Sequence, residues 1–123
     1  MEDGLIIDDN RNTADALHQM LELLELPARV AYGSSPAMTV LGHMVPRFVC
    51  LDINMPGVDG TEVLAYIRRD PRLRKVPVIV VTSDDQPETR HLVMKAGAQA
   101  MLIKPATIDA LEEALNKAGI ITP

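Results

Sequence analysis

Three kinds of side chain that can bind a metal ion or react with phosphorus occur at wide, ordered intervals along the chain. Asp8 and Asp9 come first, Asp52 lies 43 residues after Asp9, Thr82 lies 30 residues further on, and Lys104 follows after another 22. Three carboxylates within a few ångströms repel one another, so a cation must compensate them if they meet. A site with few protein oxygen ligands, completed by water, suits Mg²⁺ better than Ca²⁺.

An aspartate beside Mg²⁺, a lysine and a hydroxyl form an arrangement that accepts a phosphoryl group. Asp52 would attack phosphorus, Mg²⁺ and Lys104 would neutralise the equatorial oxygens, and Thr82 would donate a hydrogen bond to one of them. Lys104 directly follows an apolar run, so its stem is expected along the core with its ammonium group at the site. This chemistry requires elements that bring the residues together.

Five short apolar runs in the sequence predict buried β-strands. They are rich in β-branched residues and lack the polar alternation of a half-exposed strand, so a parallel sheet covered on both faces is expected. The runs are Leu5–Ile7, Arg29–Ala31, Phe48–Leu51, Val78–Val81 and Ala100–Ile103.

Segments with a helical period separate these runs, and capping or breaking residues bound most of them. Asp59 is the expected N-cap of the third helix. Thr107 is the expected N-cap of the fifth, which would turn Ile108, Leu111 and Leu115 inward. The first predicted helix carries Ala14, Leu17, Leu21 and Leu24 on one face and is closed by Pro27. The other predicted helices cover about 36–44, 60–70, 87–97 and 108–119, and residues 120–123 are expected to form a frayed tail.

The alternation of strand and helix, repeated five times, predicts one α/β domain over residues 1–123. Right-handed crossovers place helices on both faces of the sheet. Ligands bind such sheets at the carboxyl ends of the strands, where the strand order reverses. If the order is 2-1-3-4-5, the first and third strands are neighbours at that point, and Asp8, Asp9 and Asp52 converge in one cleft.

The composition argues against several other classes of protein. The 123 residues carry a formal net charge of −5 and include two Tyr, one Phe and no Trp, which disfavours a nucleic-acid or anionic-membrane binder. A single cysteine excludes a disulfide framework and a Cys-based zinc site. No apolar run approaches the roughly 20 residues that span a bilayer. We therefore expect a cytoplasmic protein without nucleic-acid or membrane partners.

Five motifs in order carry a resemblance that covers essentially the whole chain. The sequence resembles a response-regulator receiver domain of bacterial two-component signalling, of the CheY-like kind. This resemblance implies a flavodoxin-like (βα)5 three-layer sandwich with the strand order 2-1-3-4-5. The motifs are Asp8-Asp9-Asn10, Leu51-Asp52-Ile53-Asn54-Met55-Pro56-Gly57, Asp59-Gly60, Thr82-Ser83 and Lys104-Pro105.

The resemblance also implies a role for each residue of the acidic cleft. Asp52 would be the phosphoacceptor. Mg²⁺, with Mn²⁺ as a substitute, would be bound directly by Asp9, Asp52 and the backbone carbonyl of Asn54, and by Asp8 through a water. Thr82 would shift toward the phosphoryl group.

Four further positions take roles from the same resemblance. Lys104 would form an ion pair with the phosphoryl group, and its bond to Pro105 would be cis. The side chains of Asn54 and Asp84, each two residues after a site residue, would tune the lifetime of the phosphorylated state.

A receiver of this family acts as a switch. A histidine kinase or a histidine phosphotransfer protein would supply the phosphoryl group, and a downstream protein or an output domain would respond. Such a domain catalyses only its own phosphorylation and dephosphorylation, so no enzyme with an external substrate is expected.

One departure concerns the position three residues before the lysine, where receivers commonly carry Tyr or Phe. Met101 stands there, and a thioether can fill the same pocket but lacks the shape of a ring and any hydroxyl. Core filling is the favoured interpretation of this side chain. Coupling through an aromatic switch is therefore not expected.

Two other functions remain as alternatives. A receiver-like module that is not phosphorylated could serve only protein interaction, although such a module would be expected to lack Asp9, Asp52 or Lys104. A haloacid-dehalogenase-type phosphotransferase also uses an aspartate nucleophile with Mg²⁺, but Asn54 stands where its second aspartate is expected, and that fold needs a longer chain.

Two remaining groups of residues are assigned to structure. Cys50 is expected to be an inert core residue. The basic cluster before the fourth strand is expected to be a solvated loop. It comprises Arg68, Arg69, Arg72, Arg74 and Lys75.

Overall fold

Strands and helices alternate along the computed structural model, which describes residues 3–57 and 59–122. The first half contains β1 (Gly4–Ile7), α1 (Arg11–Leu23), β2 (Ala28–Ala31), α2 (Ser34–Leu41) and β3 (Val49–Leu51). The second half contains α3 (Gly60–Arg69), β4 (Val78–Thr82), α4 (Pro87–Lys95), β5 (Ala100–Ile103) and α5 (Ile108–Lys117).

The five strands form one parallel sheet with the order β2-β1-β3-β4-β5, as predicted. Ile6 is in register with Val30 on one side and Cys50 on the other. Side chains alternate between the two faces of the sheet, and each face carries its own hydrophobic cluster. One cluster includes Leu5, Leu51 and Val80; the other includes Ile6, Cys50, Ile79 and the inward faces of α1 and α5.

The predicted helix caps are present. The side chain of Asp59 accepts hydrogen bonds from the N–H groups of Thr61 and Glu62, and that of Thr107 accepts one from Ala110. At α1 the N-cap is Asn10, whose side chain accepts from Thr13 at 3.0 Å. These bonds satisfy donors that the first turn of a helix leaves without partners.

The predicted bounds of the second helix were wrong. α2 begins at Ser34 rather than about residue 36 and ends at Leu41, before a turn in which His43 and Met44 both donate to Val40. Pro36 fits in the first turn because an N–H there has no intrahelical partner to lose.

Two predictions about the last helix were also wrong. Ile108 is 36% exposed because it starts α5 beyond the edge of the core, whereas Leu111 and Leu115 are fully buried. Ile120 is no part of a frayed tail: Gly119, with φ +75°, turns the chain so that the Ile120 N–H reaches the Leu115 carbonyl at 2.9 Å and its side chain is buried. Pro123 lies outside the described residues.

The strand β2 departs from the expectation of full coverage on both faces. Ala28 and Val30 are half-buried and Arg29 is exposed, and Ala31 is the buried residue of this strand. β2 lies at the edge of the sheet, so part of its surface faces solvent. Cys50, in contrast, is buried as predicted, and burial raises the pKa of its thiol to about 12.

The expectation of a solvated basic loop was wrong for Arg68. Its guanidinium donates to the carbonyls of Val76 at 2.7 Å, Arg74 at 3.1 Å and Gly97 at 2.7 Å, and to the side chain of Gln99 at 2.9 Å. Gly97 has φ +109°, and a Cβ there would lie 2.8 Å from Nε of Arg68. Glycine therefore suits this close approach for both conformational and steric reasons.

Candidate functional site

The candidate site lies at the carboxyl ends of β1, β3, β4 and β5. The N–H of Asp8 donates to Ala31 at 3.1 Å, and that of Asp52 donates to Ile7 at 2.9 Å. The N–H of Lys104 donates to the Thr82 carbonyl at 2.8 Å. These sheet-type hydrogen bonds fix the backbone of the site residues to the rigid sheet.

Three carboxylates meet at this end of the sheet. Asp8, Asp9 and Asp52 each offer an oxygen within 4.8 Å of the other two. Asp8 and Asp52 are 1% and 5% exposed, whereas Asp9 is exposed. The strand order predicts that these carboxylates converge, and the structure shows two of them on the buried floor of the cleft and the third at its mouth.

Lys104 supplies the positive charge of the cleft. Its Nζ lies 3.0 Å from Oδ2 of Asp8 and 3.5 Å from Oδ2 of Asp52, and its side chain is 16% exposed. A lysine shared between two buried carboxylates offsets part of their repulsion. With one ammonium group among three carboxylates, an additional cation would still be stabilised there.

The pKa of Asp52 reflects these surroundings. Burial raises the pKa of this carboxyl above its ordinary value, and the nearby charge of Asp8 raises it as well. The Asn54 N–H, which donates to Oδ1 of Asp52 at 3.2 Å, and the charge of Lys104 act in the opposite direction. The net direction is upward because burial is the largest effect.

The buried hydroxyl of Thr82 lies in a small polar network. Its Oγ1 accepts hydrogen bonds from the side-chain amide of Asn54 at 3.3 Å and from the N–H of Asp84 at 3.2 Å. Thr82 itself is fully buried, whereas Asn54 is exposed. The network joins the loop after β3 to the loop after β4.

The donor set fits a hard divalent cation. Oδ2 of Asp8 is buried and accepts no hydrogen bond from any described residue, although it is ion-paired with Lys104. Such an oxygen retains lone pairs for a metal-bound water or a metal ion. Oxygen ligands from Asp9 and Asp52 complete a set of the type that Mg²⁺ prefers. The backbone carbonyl of Asn54, which the resemblance names as a further ligand, belongs to the loop directly after Asp52.

Position 60 requires glycine for a steric reason that the Asp59-Gly60 motif alone does not show. A Cβ at this position would lie 2.2 Å from the carbonyl oxygen of Asp52. The N–H of Gly60 also donates to Ile53 at 3.0 Å. The first turn of α3 therefore packs directly on the backbone that carries Asp52.

Three further features next to the cleft involve the Lys104–Pro105 bond, Met101 and Thr89. The Lys104–Pro105 bond is cis, as the resemblance implies. Met101 is half-buried and packs against the hydrophobic cluster that contains Val80 and Val93. Sequence reasoning missed Thr89, whose hydroxyl binds Asp84 at 2.6 Å. The spacing of Asp84 and Thr89 across the predicted start of α4 was the available signal.

The fold and this cleft are those of a receiver domain, and the comparison of sequences agrees. Residues 5–116 match the family described as "Response regulator receiver domain". The chain therefore belongs to the response-regulator receiver family.

Individual proteins show the same relationship. The chain is 32% identical over 110 residues to an uncharacterized 14.6 kDa protein of Leptolyngbya boryana. The aligned region covers 89% of this chain and 82% of that protein. It is 31% identical over 109 residues to response regulator Rre1 of a Synechocystis strain. Here the aligned region covers 88% of this chain and 47% of Rre1.

Solved structures share the architecture. Chemotaxis protein CheY4 of Vibrio cholerae has a TM-score of 0.88 with 21% identity, covering 96% of this chain and 98% of its own. A response regulator receiver domain protein from Clostridium thermocellum has a TM-score of 0.85 with 26% identity, covering 96% and 94%. Among the described residues, no helix is long and apolar enough to cross a membrane.

Proposed function

We propose that this receiver domain accepts a phosphoryl group from phosphohistidine onto Asp52 in a reaction that depends on Mg²⁺. The observation that carries the proposal is the cleft itself, in which Lys104 lies 3.0 Å from Asp8 and 3.5 Å from Asp52 while the oxygens of three carboxylates lie within 4.8 Å of one another. Such a concentration of negative charge is costly without a bound cation, and its partial burial is a reason to expect function.

The transfer is a displacement at phosphorus. An Asp52 oxygen forms a bond to phosphorus as the bond from phosphorus to the donor imidazole nitrogen breaks, and the imidazole leaves with the electron pair and takes up a proton. Mg²⁺ bound at the carboxylates would neutralise charge on the transferred group. Lys104 would pair with one phosphoryl oxygen, and Thr82 would donate a hydrogen bond to another.

A second observation supports a protein as the phosphoryl donor. A mainly apolar groove of about 460 Å³ runs beside the cleft between α1 and the loop after β5, and Lys104 forms part of its wall. A helix of a histidine kinase or phosphotransfer protein could pack there and present its phosphohistidine to Asp52. The groove is lined by Asn12, Thr13, Ala16, Leu17, Met20, Ser83, Lys104, Pro105 and Ala106.

The phosphoryl group then acts as a switch rather than as an intermediate for an external substrate. It favours the conformer in which Thr82 and Lys104 both reach it, and so shifts an existing equilibrium. A downstream protein or an output domain that prefers this conformer would read the signal. The domain catalyses only its own phosphorylation and dephosphorylation.

The proposal is tested by intact-mass measurement after incubation with Mg²⁺ and phosphoramidate, a small donor with the nitrogen–phosphorus bond of phosphohistidine. We expect the wild type to gain one phosphoryl group and Asp52→Asn to gain none. Asp59→Asn is the matched control and should gain the group, since Asp59 caps α3 outside the carboxylate cluster. A folded wild type that stays unmodified would favour the protein-interaction module instead.

A further inference from the structure

A second groove lies at the carboxyl edge of the sheet, between the first turn of α2 and the loop after β3. Its volume is about 710 Å³. The helix α2 packs on the sheet face opposite α1, so this groove and the groove beside Lys104 lie on different faces. It is lined by Ser34, Ser35, Met38, Thr39, Pro56 and Gly57. None of these residues belongs to the carboxylate cluster or to the network of Thr82.

The first turn of α2 offers hydrogen-bond donors to this groove. The N-cap residue, Gly33, has no side chain to cap the helix, and the first turn contains no acidic residue. The N–H groups of Ser34 and Ser35 have no acceptor within the helix, and neither donates to another carbonyl or side chain described in the structure. Free donors at the positive end of a helix dipole favour an oxygen that carries negative charge.

The side chain of Ser34 gives an independent indication of a ligand. Ser34 is only 8% exposed and lines the groove, yet its hydroxyl has no hydrogen-bond partner among the described residues. Buried hydroxyls are normally paired. Opposite it, Gly57 has φ +81°, and a Cβ there would lie 3.9 Å from Oγ of Ser34 with no other heavy atom within 4 Å. Glycine at position 57 therefore leaves the space beside the hydroxyl open.

The surroundings select the kind of anion. The carboxylates of Asp8, Asp9 and Asp52 lie at the same edge of the sheet, and they repel a doubly charged phosphate more strongly than a singly charged carboxylate. The half-buried Met38 and the exposed Pro56 form an apolar part of the wall. The groove therefore suits a carboxylate that is accompanied by apolar side chains, as in an acidic segment of a protein.

We propose that this groove binds a segment of a partner protein in which an aspartate or glutamate lies next to apolar residues. The carboxylate of the partner would accept hydrogen bonds from the N–H groups of Ser34 and Ser35 and from the Ser34 hydroxyl, and so would supply the N-cap that α2 lacks. This docking needs no phosphoryl group at Asp52. Its failure would therefore leave the proposed function standing.

An NMR titration of the unmodified, ¹⁵N-labelled protein tests the docking. The probe is a pentapeptide with blocked ends that carries one glutamate between two leucines, with glycine at each end. We expect saturable shifts of the Ser34 and Ser35 amide signals. The affinity should be about ten times that of the same peptide with glutamine, because one hydrogen bond to a charged group supports such a ratio. Equal affinities for the two peptides, or saturable shifts with neither, would overturn the docking.

Ser35→Asp separates loss of binding from loss of folding. It places a carboxylate at the exposed second residue of α2, which favours the helix but repels an acidic ligand. We expect at least a tenfold loss of affinity for the glutamate peptide with no fall in Tm. Asn12→Asp is the matched control, because it adds the same charge at the exposed second residue of α1, and it should bind as the wild type does. Unchanged binding by Ser35→Asp would contradict the proposal.

Two further probes distinguish the occupants. Ser34→Ala should weaken the glutamate peptide by about fivefold, the ratio that one hydrogen bond supports. Acetate that binds as tightly as the glutamate peptide would show a site for a small anion only and would overturn the docking of a protein segment. A phosphoserine peptide that binds more tightly than the glutamate peptide would contradict the choice of a carboxylate.

Discussion

Lys104 determines how three carboxylates coexist in one cleft. Its Nζ lies close to Asp8 and Asp52, both almost fully buried, and its ion pairs limit but do not cancel their repulsion. The residue types and intervals of the sequence predicted this convergence, because polar residues at the carboxyl ends of parallel strands must meet. The ion pair between Lys104 and Asp8 could not be predicted, since side-chain rotamers depend on packing that no spacing encodes.

Removing one of these carboxylates should stabilise the metal-free protein. Asp52→Asn eliminates a buried negative charge that burial and Asp8 both disfavour, so in the presence of a chelator we expect the free energy of unfolding to rise by about 1–2 kcal/mol. Added Mg²⁺ at about ten times its Kd should stabilise the wild type by about 1.4 kcal/mol and Asp52→Asn by less. Denaturant unfolding with chelator and with Mg²⁺ measures both effects.

Asp59→Asn is the control, because Asp59 caps α3 outside the carboxylate cluster and Asn is an equally good N-cap. It should respond to Mg²⁺ as the wild type does. A lower stability of Asp52→Asn in chelator would contradict this description of the cleft.

At the scale of elements, the caps and loops decide which residues are presented to the site. Asp59 and Thr107 were predictable as N-caps because an Asx or Thr side chain precedes an apolar helical period in each case. The start of α2 and the return of Ile120 to the core were not predictable, because both depend on glycines whose positive φ the sequence does not specify. Gly33 has φ +128° and Gly119 has φ +75°.

The cap of α3 should give a pH-dependent contribution to stability. The hydroxyl of Thr61, and then two backbone N–H groups, lower the pKa of Asp59 below its ordinary value of 3.8. Such a contribution is present above the unfolded pKa and lost as the pH falls through the folded one. We therefore expect Asp59→Ala to cost about 1 kcal/mol at neutral pH, with a cost that shrinks under acid conditions.

Thr107→Ala provides the comparison, because Thr107 caps α5 with a hydroxyl that does not titrate. The loss in free energy of unfolding caused by Thr107→Ala, measured by denaturant unfolding, should stay constant over the same pH range. A cost of Asp59→Ala that does not change with pH would contradict the role given to the ionised cap.

A second set of polar contacts lies at the amino ends of β4 and β5, at the opposite edge of the sheet from the cleft. The guanidinium of Arg68 on α3 joins the segments that lead into β4 and β5, where the sequence indicated only a solvated basic loop. The sheet order was predictable from the repeated strand–helix unit and right-handed crossovers. The role of Arg68 was not predictable, because the sequence pattern of a basic residue at a helix end is the same whether its side chain is solvated or bound to backbone carbonyls.

Arg68→Met should destabilise the whole fold. It keeps much of the apolar stem but leaves the carbonyls of Gly97 and Val76 without the guanidinium, so we expect a loss of about 2–3 kcal/mol in the free energy of unfolding. Arg69→Met, at the exposed neighbouring position, should change it by less than about 0.5 kcal/mol. Similar small effects for both variants in thermal or denaturant unfolding would show that Arg68 is solvated after all.

The most direct test of the central claim asks which residue carries the phosphoryl group. An acyl phosphate on aspartate is reduced by borohydride to homoserine with release of phosphate, so the modified position is marked permanently and read by peptide mass spectrometry. After incubation with Mg²⁺ and phosphoramidate, we predict homoserine at position 52. Homoserine at position 8, 9 or 59 instead, or at none of them in a folded protein, would contradict the assignment of Asp52 as the phosphoacceptor.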